Sequence, residues 1–328
     1  MYIPEIKFSL WADFIERDFL ENEFKDLIDK GIINGATSNP AIFKNAILSS
    51  PAYKEQIVSL SGKTPKEIYE AVAIFDIQKA ADILLPLHEK GNDGYVSIEV
   101  DPYLCDDVEG TIAEGKRLYA QINRPNVMIK VPATPAGYEA MEALVAEGIA
   151  VNATLIFSKK QAIFCAKAFE RGLLTCKQKV DTVISVFVSR IDRALDAKLE
   201  EKGVSTALAG IYNAADIYNV VNAMKVENCR TLFASTGVKG DDLRASYYID
   251  ELLAPYSINT APIDTVHSFV QGGDVRAKLP LSIEVIRAHF ALISEAGIDF
   301  NGVIEKQIAD GLEAFKDAFS EILTALES

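Results

Sequence analysis

Val127-Met128-Ile129-Lys130-Val131-Pro132 is an apolar run interrupted by a single lysine and ended by a proline. Apolar residues at every position, without polar alternation, mark a strand covered on both faces, as in a parallel sheet flanked by helices. A charged side chain in such a strand costs free energy unless it is paired or used. Burial of an amine favours its neutral form, which is the nucleophile. Two readings of Lys130 follow: an amine that forms a Schiff base with a carbonyl substrate, or an ammonium paired with a structural carboxylate.

Seven more β-rich runs surround this one, separated by longer amphipathic segments. In order the eight are Ile6 to Asp13, Asn34 to Ser38, Tyr95 to Asp101, Val127 to Pro132, Ala150 to Phe157, Val183 to Val188, Thr231 to Thr236, and Ser257 to Thr260. Strands alternating with helices predict repeated βα units, and eight of them predict α/β architecture closed as a (β/α)₈ TIM barrel. An open doubly wound sheet fits less well, because no strand is followed by a GxGxxG turn.

Helix signals agree with this frame. Thr64-Pro65-Lys66-Glu67 has a capping threonine, proline at the first helical position and glutamate at the third; Ile68, Val72, Phe75, Ala80 and Ile83 then recur as one apolar face. Residues 40–61 carry their own apolar periodicity and read as helical turns inserted after the second strand. Leu281 to Ala296 and Val303 to Leu326 are helical by periodicity, so residues 261–328 are expected as a helical tail packed on the barrel. No Gly/Ser linker or low-complexity tract divides the chain, and 1–328 is expected as a single domain.

Composition bounds the partners. The 328 residues are 49% hydrophobic and 24% charged, the balance of a globular protein able to bury a large core. With 33 Lys and Arg against 47 Asp and Glu, the formal charge of −14 argues against nucleic acid and requires a local basic pocket for any anionic substrate. Glu5, Lys7, Asp13, Glu16 and Arg17 interrupt every early apolar stretch, so no secretory signal is expected, and no run approaches the roughly 18 apolar residues of a membrane span. Cys105, Cys165, Cys176 and Cys229 lie far apart without a CxxC pair, and His88, His267 and His289 show no metal-ligand spacing. The expectation is a cytoplasmic protein without a metal; a homodimer is compatible with the sequence, which leaves oligomeric state open.

In a barrel of this kind chemistry belongs at the C-terminal strand ends. Asp13 ends the first strand; Ser38 ends the second and Asn39 follows it; Glu99 and Asp101 end the third; Lys130 lies on the fourth, Asn152 and Thr154 on the fifth, Ser185 and Phe187 on the sixth with Arg190 beyond, and Ser235 on the seventh followed by Lys239. Each has a plain structural alternative: Asp13 and Asn39 as helix caps, Glu99 as the counter-ion of Lys130, Phe187 as core, Arg190 paired with Asp192 or Glu200, Lys239 as a solvated charge in a glycine-flanked turn. Their convergence on one mouth favours an active site.

The segments Gly35-Ala36-Thr37-Ser38-Asn39-Pro40, Val96-Ser97-Ile98-Glu99-Val100-Asp101, Ile129-Lys130-Val131-Pro132-Ala133-Thr134, Val151-Asn152-Ala153-Thr154-Leu155-Ile156-Phe157-Ser158, Ser185-Val186-Phe187-Val188-Ser189-Arg190-Ile191-Asp192 and Ala234-Ser235-Thr236-Gly237-Val238-Lys239 together resemble the transaldolases, in family order over most of the chain. Leu10-Trp11-Ala12-Asp13 and Ser235-Thr236-Gly237 are similar to the longer bacterial subgroup. The resemblance implies transfer of a dihydroxyacetone unit between ketose and aldose phosphates, with no cofactor. It implies Lys130 as the Schiff-base nucleophile, Asp13 as the acid and base at the broken carbon bond, and Glu99 with Thr154 as a proton shuttle through water. Asn39, Asn152 and Ser185 would hold the three-carbon unit, Phe187 would line the site, and Arg190, Ser235 and Lys239 would bind the phosphate. Ala36 stands where valine is more usual, and Lys239 offers a point charge where shorter members have arginine. Two rival readings are a related aldolase that releases free dihydroxyacetone from fructose 6-phosphate, for which Phe187 would be tyrosine and a glutamine would lie near Glu99, and a catalytically silent sugar-phosphate sensor.

Overall fold

A computed structural model describes residues 1–327. Nine strands form one sheet: β1 (Tyr2–Ile3), β2 (Phe8–Ala12), β3 (Gly35–Thr37), β4 (Val96–Glu99), β5 (Val127–Pro132), β6 (Val151–Ile156), β7 (Thr182–Phe187), β8 (Cys229–Ala234) and β9 (Ser257–Ala261). Strands β2 to β9 are parallel, each beside the next, and β9 pairs back onto β2, which closes the cylinder. This is the expected (β/α)₈ TIM barrel. The short β1, absent from the sequence reading, pairs antiparallel with the start of β2.

The helices in chain order are α1 (Arg17–Glu21), α2 (Glu23–Asp29), α3 (Pro40–Ser49), α4 (Lys54–Ser59), α5 (Pro65–Glu89), α6 (Val108–Ile122), α7 (Pro135–Ala146) and α8 (Lys159–Thr175). They continue with α9 (Ser189–Glu201), α10 (Ala209–Met224), α11 (Tyr247–Leu252), α12 (Ile263–Gly272), α13 (Ile283–Glu295) and α14 (Phe300–Leu326). The capping box at Thr64 forms as read: the Glu67 amide donates to Thr64 Oγ1, and the Thr64 amide donates to Glu67 Oε2 at 2.8 Å. Of the apolar face expected on α5, Ile68, Val72 and Ala80 are buried, but Phe75 is 46% exposed. Asp76 takes the buried place instead, because Arg17 binds its Oδ1 through two nitrogens at 3.0 and 2.9 Å and Tyr53 donates to its Oδ2 at 2.7 Å. A buried charge is tolerated when it is paired and fully hydrogen-bonded, and this pair ties the inserted α3–α4 segment to α5.

Strand ends shift where backbone conformation overrides the apolar pattern. Lys7, at φ 52°, delays the first barrel strand to Phe8. The seventh runs Cys229–Ala234, two residues earlier than read, since Ser235 at φ 55° leaves the ladder and Arg230 points inward to a buried partner that no local pattern reveals.

Inside the barrel the fully buried Trp11 donates its indole N–H to Asp93 Oδ2 at 2.8 Å. Arg230, from β8, binds the other oxygen of Asp93. Trp11 pairs in register with Gly35 on β3, and a Cβ on Gly35 would stand 2.6 Å from the indole. Glycine is therefore required by close approach, not by turn geometry.

At the opposite, C-terminal end, α14 packs on α3, α5 and α9 and so spans the mouth. Lys44 of α3 pairs with Glu321 at 3.0 Å, and the rings of Tyr69 and Phe319 meet edge-on with centroids 5.3 Å apart. Gly35→Ala is expected to cost about 1–3 kcal/mol by overpacking the barrel, read as a lower urea midpoint together with a shifted Trp11 emission spectrum; a parental midpoint would contradict the packing described.

Candidate active site

Parallel register brings the chemistry-bearing residues level with one another. Glu99 on β4 pairs with Lys130 on β5, Lys130 with Asn152 on β6, and Pro132 with Thr154. Side chains alternate across a strand, so the inward set at the C-terminal end is polar while the strand faces beneath the helices stay apolar. A cavity of about 130 Å³ opens there, and Asp13, Asn39, Lys130, Thr154, Ser185 and Phe187 line it. Arg190 and Ser235 line its rim.

Lys130 is 5% exposed. Its Nζ donates to the Ser38 carbonyl at 2.8 Å and lies 3.6 Å from Glu99 Oε2, beyond hydrogen-bond length but within ion-pair range. The carbonyl that orients the amine comes from the turn after β3, so that turn and the lysine strand meet at this contact. Both oxygens of Glu99 and Oγ1 of Thr154 are buried without a protein hydrogen-bond partner among the described residues. Burial pushes the Glu99 carboxyl up to about 7, outweighing the attraction of Lys130. A carboxyl at that value exchanges a proton readily near neutrality.

Asp13 caps no helix; Glu16 does so for α1. It accepts from Thr37 Oγ1 at 2.7 Å, and Thr37 Oγ1 lies 2.7 Å from Thr260 Oγ1. A hydroxyl has one proton, so Thr37 spends its own on Asp13 and takes one from Thr260. Burial raises the Asp13 carboxyl above its usual value, against the pull of Lys130 and the Thr37 bond.

Asn39 has both roles open to it. Its carbonyl oxygen caps α3 by accepting from the Ile42 amide at 3.0 Å, which leaves its NH₂ uncommitted beside the cavity. Asn152 lies one layer deeper: it accepts from Ser185 Oγ at 2.6 Å and donates to Ser97 Oγ at 3.3 Å. The register shift between Ala153 and Ile156, with Leu155 at φ 57°, forms a bulge in β6 beside Thr154; bulges re-aim side chains at barrel rims.

Arg190 pairs with neither Asp192 nor Glu200. Asp192 is committed to the Gly210 amide at 2.7 Å and the Tyr248 hydroxyl at 2.9 Å, while the Arg190 guanidinium lies over the Phe187 ring at 5.2 Å. Phe187 in turn packs on Phe157 at 5.2 Å. Ser235 Oγ is 3.1 Å from Ser189 Oγ, at the N-terminal turn of α9. Lys239 lies outside this group, exposed in the loop after β8. Arg276, exposed and bound to Asp274, is outside it as well.

Five lining residues were given no role from sequence: Thr37, Ala41, Ala234, Thr260 and Phe315. Thr37 and Thr260 stand at strand ends and were findable by the same rule as the others. Phe315 had no such signal, because on α14 it reads only as one position of a helical apolar face.

The family model described as Transaldolase/Fructose-6-phosphate aldolase matches residues 10–326. A transaldolase of Campylobacter jejuni subsp. jejuni serotype O:23/36 (strain 81-176) is 49% identical over 331 residues, covering 97% of this chain and 99% of the relative. A transaldolase of Helicobacter pylori (strain Shi470) is 45% identical over 320 residues, with the same coverage of each.

Two outcomes follow from the geometry. A folded-state Glu99 near 7, against a usual 4.5, stabilises the fold below about pH 4.5 and loses that contribution as pH rises through 7. Urea unfolding at pH 5 and pH 8 should therefore show a loss of stability in the parent that Glu99→Gln does not share; equal losses would contradict the raised value. Arg190→Ala should raise KM for a phosphorylated substrate at least about tenfold, the worth of one charge-assisted hydrogen bond, and Lys239→Ala much less; the reverse order would move the anion site to the loop.

Proposed function

Because the chain belongs to the transaldolase/fructose-6-phosphate aldolase family, we propose that it transfers a dihydroxyacetone unit from a ketose phosphate to an aldose phosphate, converting sedoheptulose 7-phosphate and glyceraldehyde 3-phosphate into erythrose 4-phosphate and fructose 6-phosphate. The observation that carries this reading is a buried lysine amine, held by a backbone carbonyl, that shares one small cavity with the half-buried carboxylate of Asp13.

In this mechanism the Lys130 amine adds to the ketose C2 carbonyl. The carbinolamine loses water to give an iminium, with Glu99 supplying the proton to the departing hydroxyl through a water held with Thr154. A Glu99 carboxyl near 7 supports both giving and retrieving that proton. Asp13 then takes the proton of the C4 hydroxyl, the C3–C4 bond breaks, and its electron pair moves into the iminium to leave an enamine. The enamine attacks the acceptor aldehyde, Asp13 returns the proton to the new alkoxide, and hydrolysis frees Lys130. The uncommitted NH₂ of Asn39 and the Ser185–Asn152 pair bind hydroxyls of the retained three carbons. Arg190 and Ser235, at the uncapped N-terminal turn of α9, bind the phosphate.

Phe187 separates transfer from release. Lacking a hydroxyl, it has no proton to pass to the enamine, which then persists until an aldehyde arrives. Four free thiols suit the reducing cytoplasm in which we place the reaction.

Borohydride reduction in the presence of fructose 6-phosphate should leave a three-carbon adduct on Lys130, located by peptide mass spectrometry; an adduct elsewhere, or none, would remove the nucleophile. Asp13→Ala should still be trapped, yet turn over at least about a hundredfold more slowly, the usual reach of a general base. With fructose 6-phosphate and erythrose 4-phosphate together, sedoheptulose 7-phosphate should dominate, and abundant free dihydroxyacetone would assign the aldolase reaction instead.

A further inference from the structure

The N-terminal end of the barrel holds a second cavity, about 470 Å³, larger than the one at the catalytic mouth. Its floor is formed by Asp93 and Arg230, with the Trp11 indole bound to Asp93 beneath them. Its walls come from β1, from the turn before β2, and from the loops that lead into β4, β7, β8 and β9.

We propose that this cavity binds a small phosphate-bearing molecule. The reason lies in which polar groups are already committed. Two carboxylates face the cavity, and both are satisfied by the protein: Asp93 by Trp11 and Arg230, Asp181 by the Tyr95 hydroxyl at 2.7 Å and by Lys179 at 3.7 Å. What remains is donor-rich. Lys7 has no ion-pair or side-chain hydrogen-bond partner among the described residues, Arg230 uses only one of its three nitrogens, and the Asn228 amide and the Tyr2 hydroxyl are uncommitted. Arg230 offsets Asp93 and Lys179 offsets Asp181, so Lys7 leaves the site with a surplus positive charge in a chain of net −14.

A stabilising function at this end of a barrel accounts for the Trp11–Asp93–Arg230 chain but not for the donors above it. Lys7, Asn228 and Tyr256 hold left-handed backbone, at φ 52°, 53° and 53°, and bring three separate loops to one rim. Arg230 also lies over the Tyr256 ring at 6.0 Å, which offers a flat apolar wall to the body of a ligand whose phosphate meets Lys7 and the remaining Arg230 N–H groups.

Trp11, the chain's one tryptophan, touches the floor of this site through Asp93 and reports on it by fluorescence. The test uses the full-length Arg190→Ala protein, in which phosphate binding at the catalytic mouth is weakened, titrated with inorganic phosphate. A saturable change in Trp11 emission is expected. Adding Lys7→Glu, or in a separate protein Asn228→Asp, should raise the midpoint by about threefold or more, the effect of reversing or adding one charge beside a partly exposed anion. No saturable change, or titrations that coincide in all three proteins, would overturn the proposal. Lys7→Glu in an otherwise unaltered chain should transfer at the parental rate, because the two cavities lie at opposite ends of the barrel; a slowed transfer would overturn their independence.

Discussion

The amine of Lys130 is confined to the interior of a closed sheet, and most of what is distinctive in the surroundings answers to that confinement. Inside the barrel an ammonium has little water to solvate it, so each contact must come from the protein. The Ser38 carbonyl supplies one at 2.8 Å and Glu99 an ion pair at 3.6 Å. Neither satisfies the site completely. Glu99 keeps both oxygens without a hydrogen-bond partner among the described residues, and the cost of burying it lifts its carboxyl to about 7. In the proposed mechanism Glu99 and Thr154 complete their bonding to the water that carries the proton.

The two barrel ends solve opposite problems. At the N-terminal end the interior is filled by the Trp11 indole, for which Gly35 makes room, and closed by Asp93 and Arg230. At the C-terminal end the interior stays open, and the closure comes from outside, where α14 lies across the mouth and sends Phe315 to its wall. Rigidity at one end and access at the other follow from the same eight strands. Loops at strand ends can vary without disturbing the ladder, and this is why barrels carry their chemistry there.

How much was legible beforehand depended on the range of the interaction. The strand containing Lys130 was read to its exact residues because an apolar run is a local signal that tertiary packing reinforces. The strand before Ser235 was placed two residues late, since Arg230 reads as polar until Asp93 is known to be its partner. Phe75 reads as core and is exposed for a related reason, the burial of Asp76 through Arg17 and Tyr53. Asn39 could be read as a cap or a ligand, and only coordinates reveal that its oxygen takes the first task while its nitrogen is left for the second.

By itself the chain order determined the alternation of strands and helices, the closed barrel, and the set of polar residues at its strand ends, because these depend on periodicity and on residues a few places apart. The tertiary structure alone decided which of those residues meet. It placed Glu99 beside Lys130 and Thr37 and Thr260 behind Asp13, left Lys239 in solvent, and brought Phe315 to the mouth from nearly two hundred residues beyond the lysine. The physical reason is that register across a sheet, and the packing of a distant helix onto its rim, are set by summed contacts over the whole barrel. No window of sequence contains that sum.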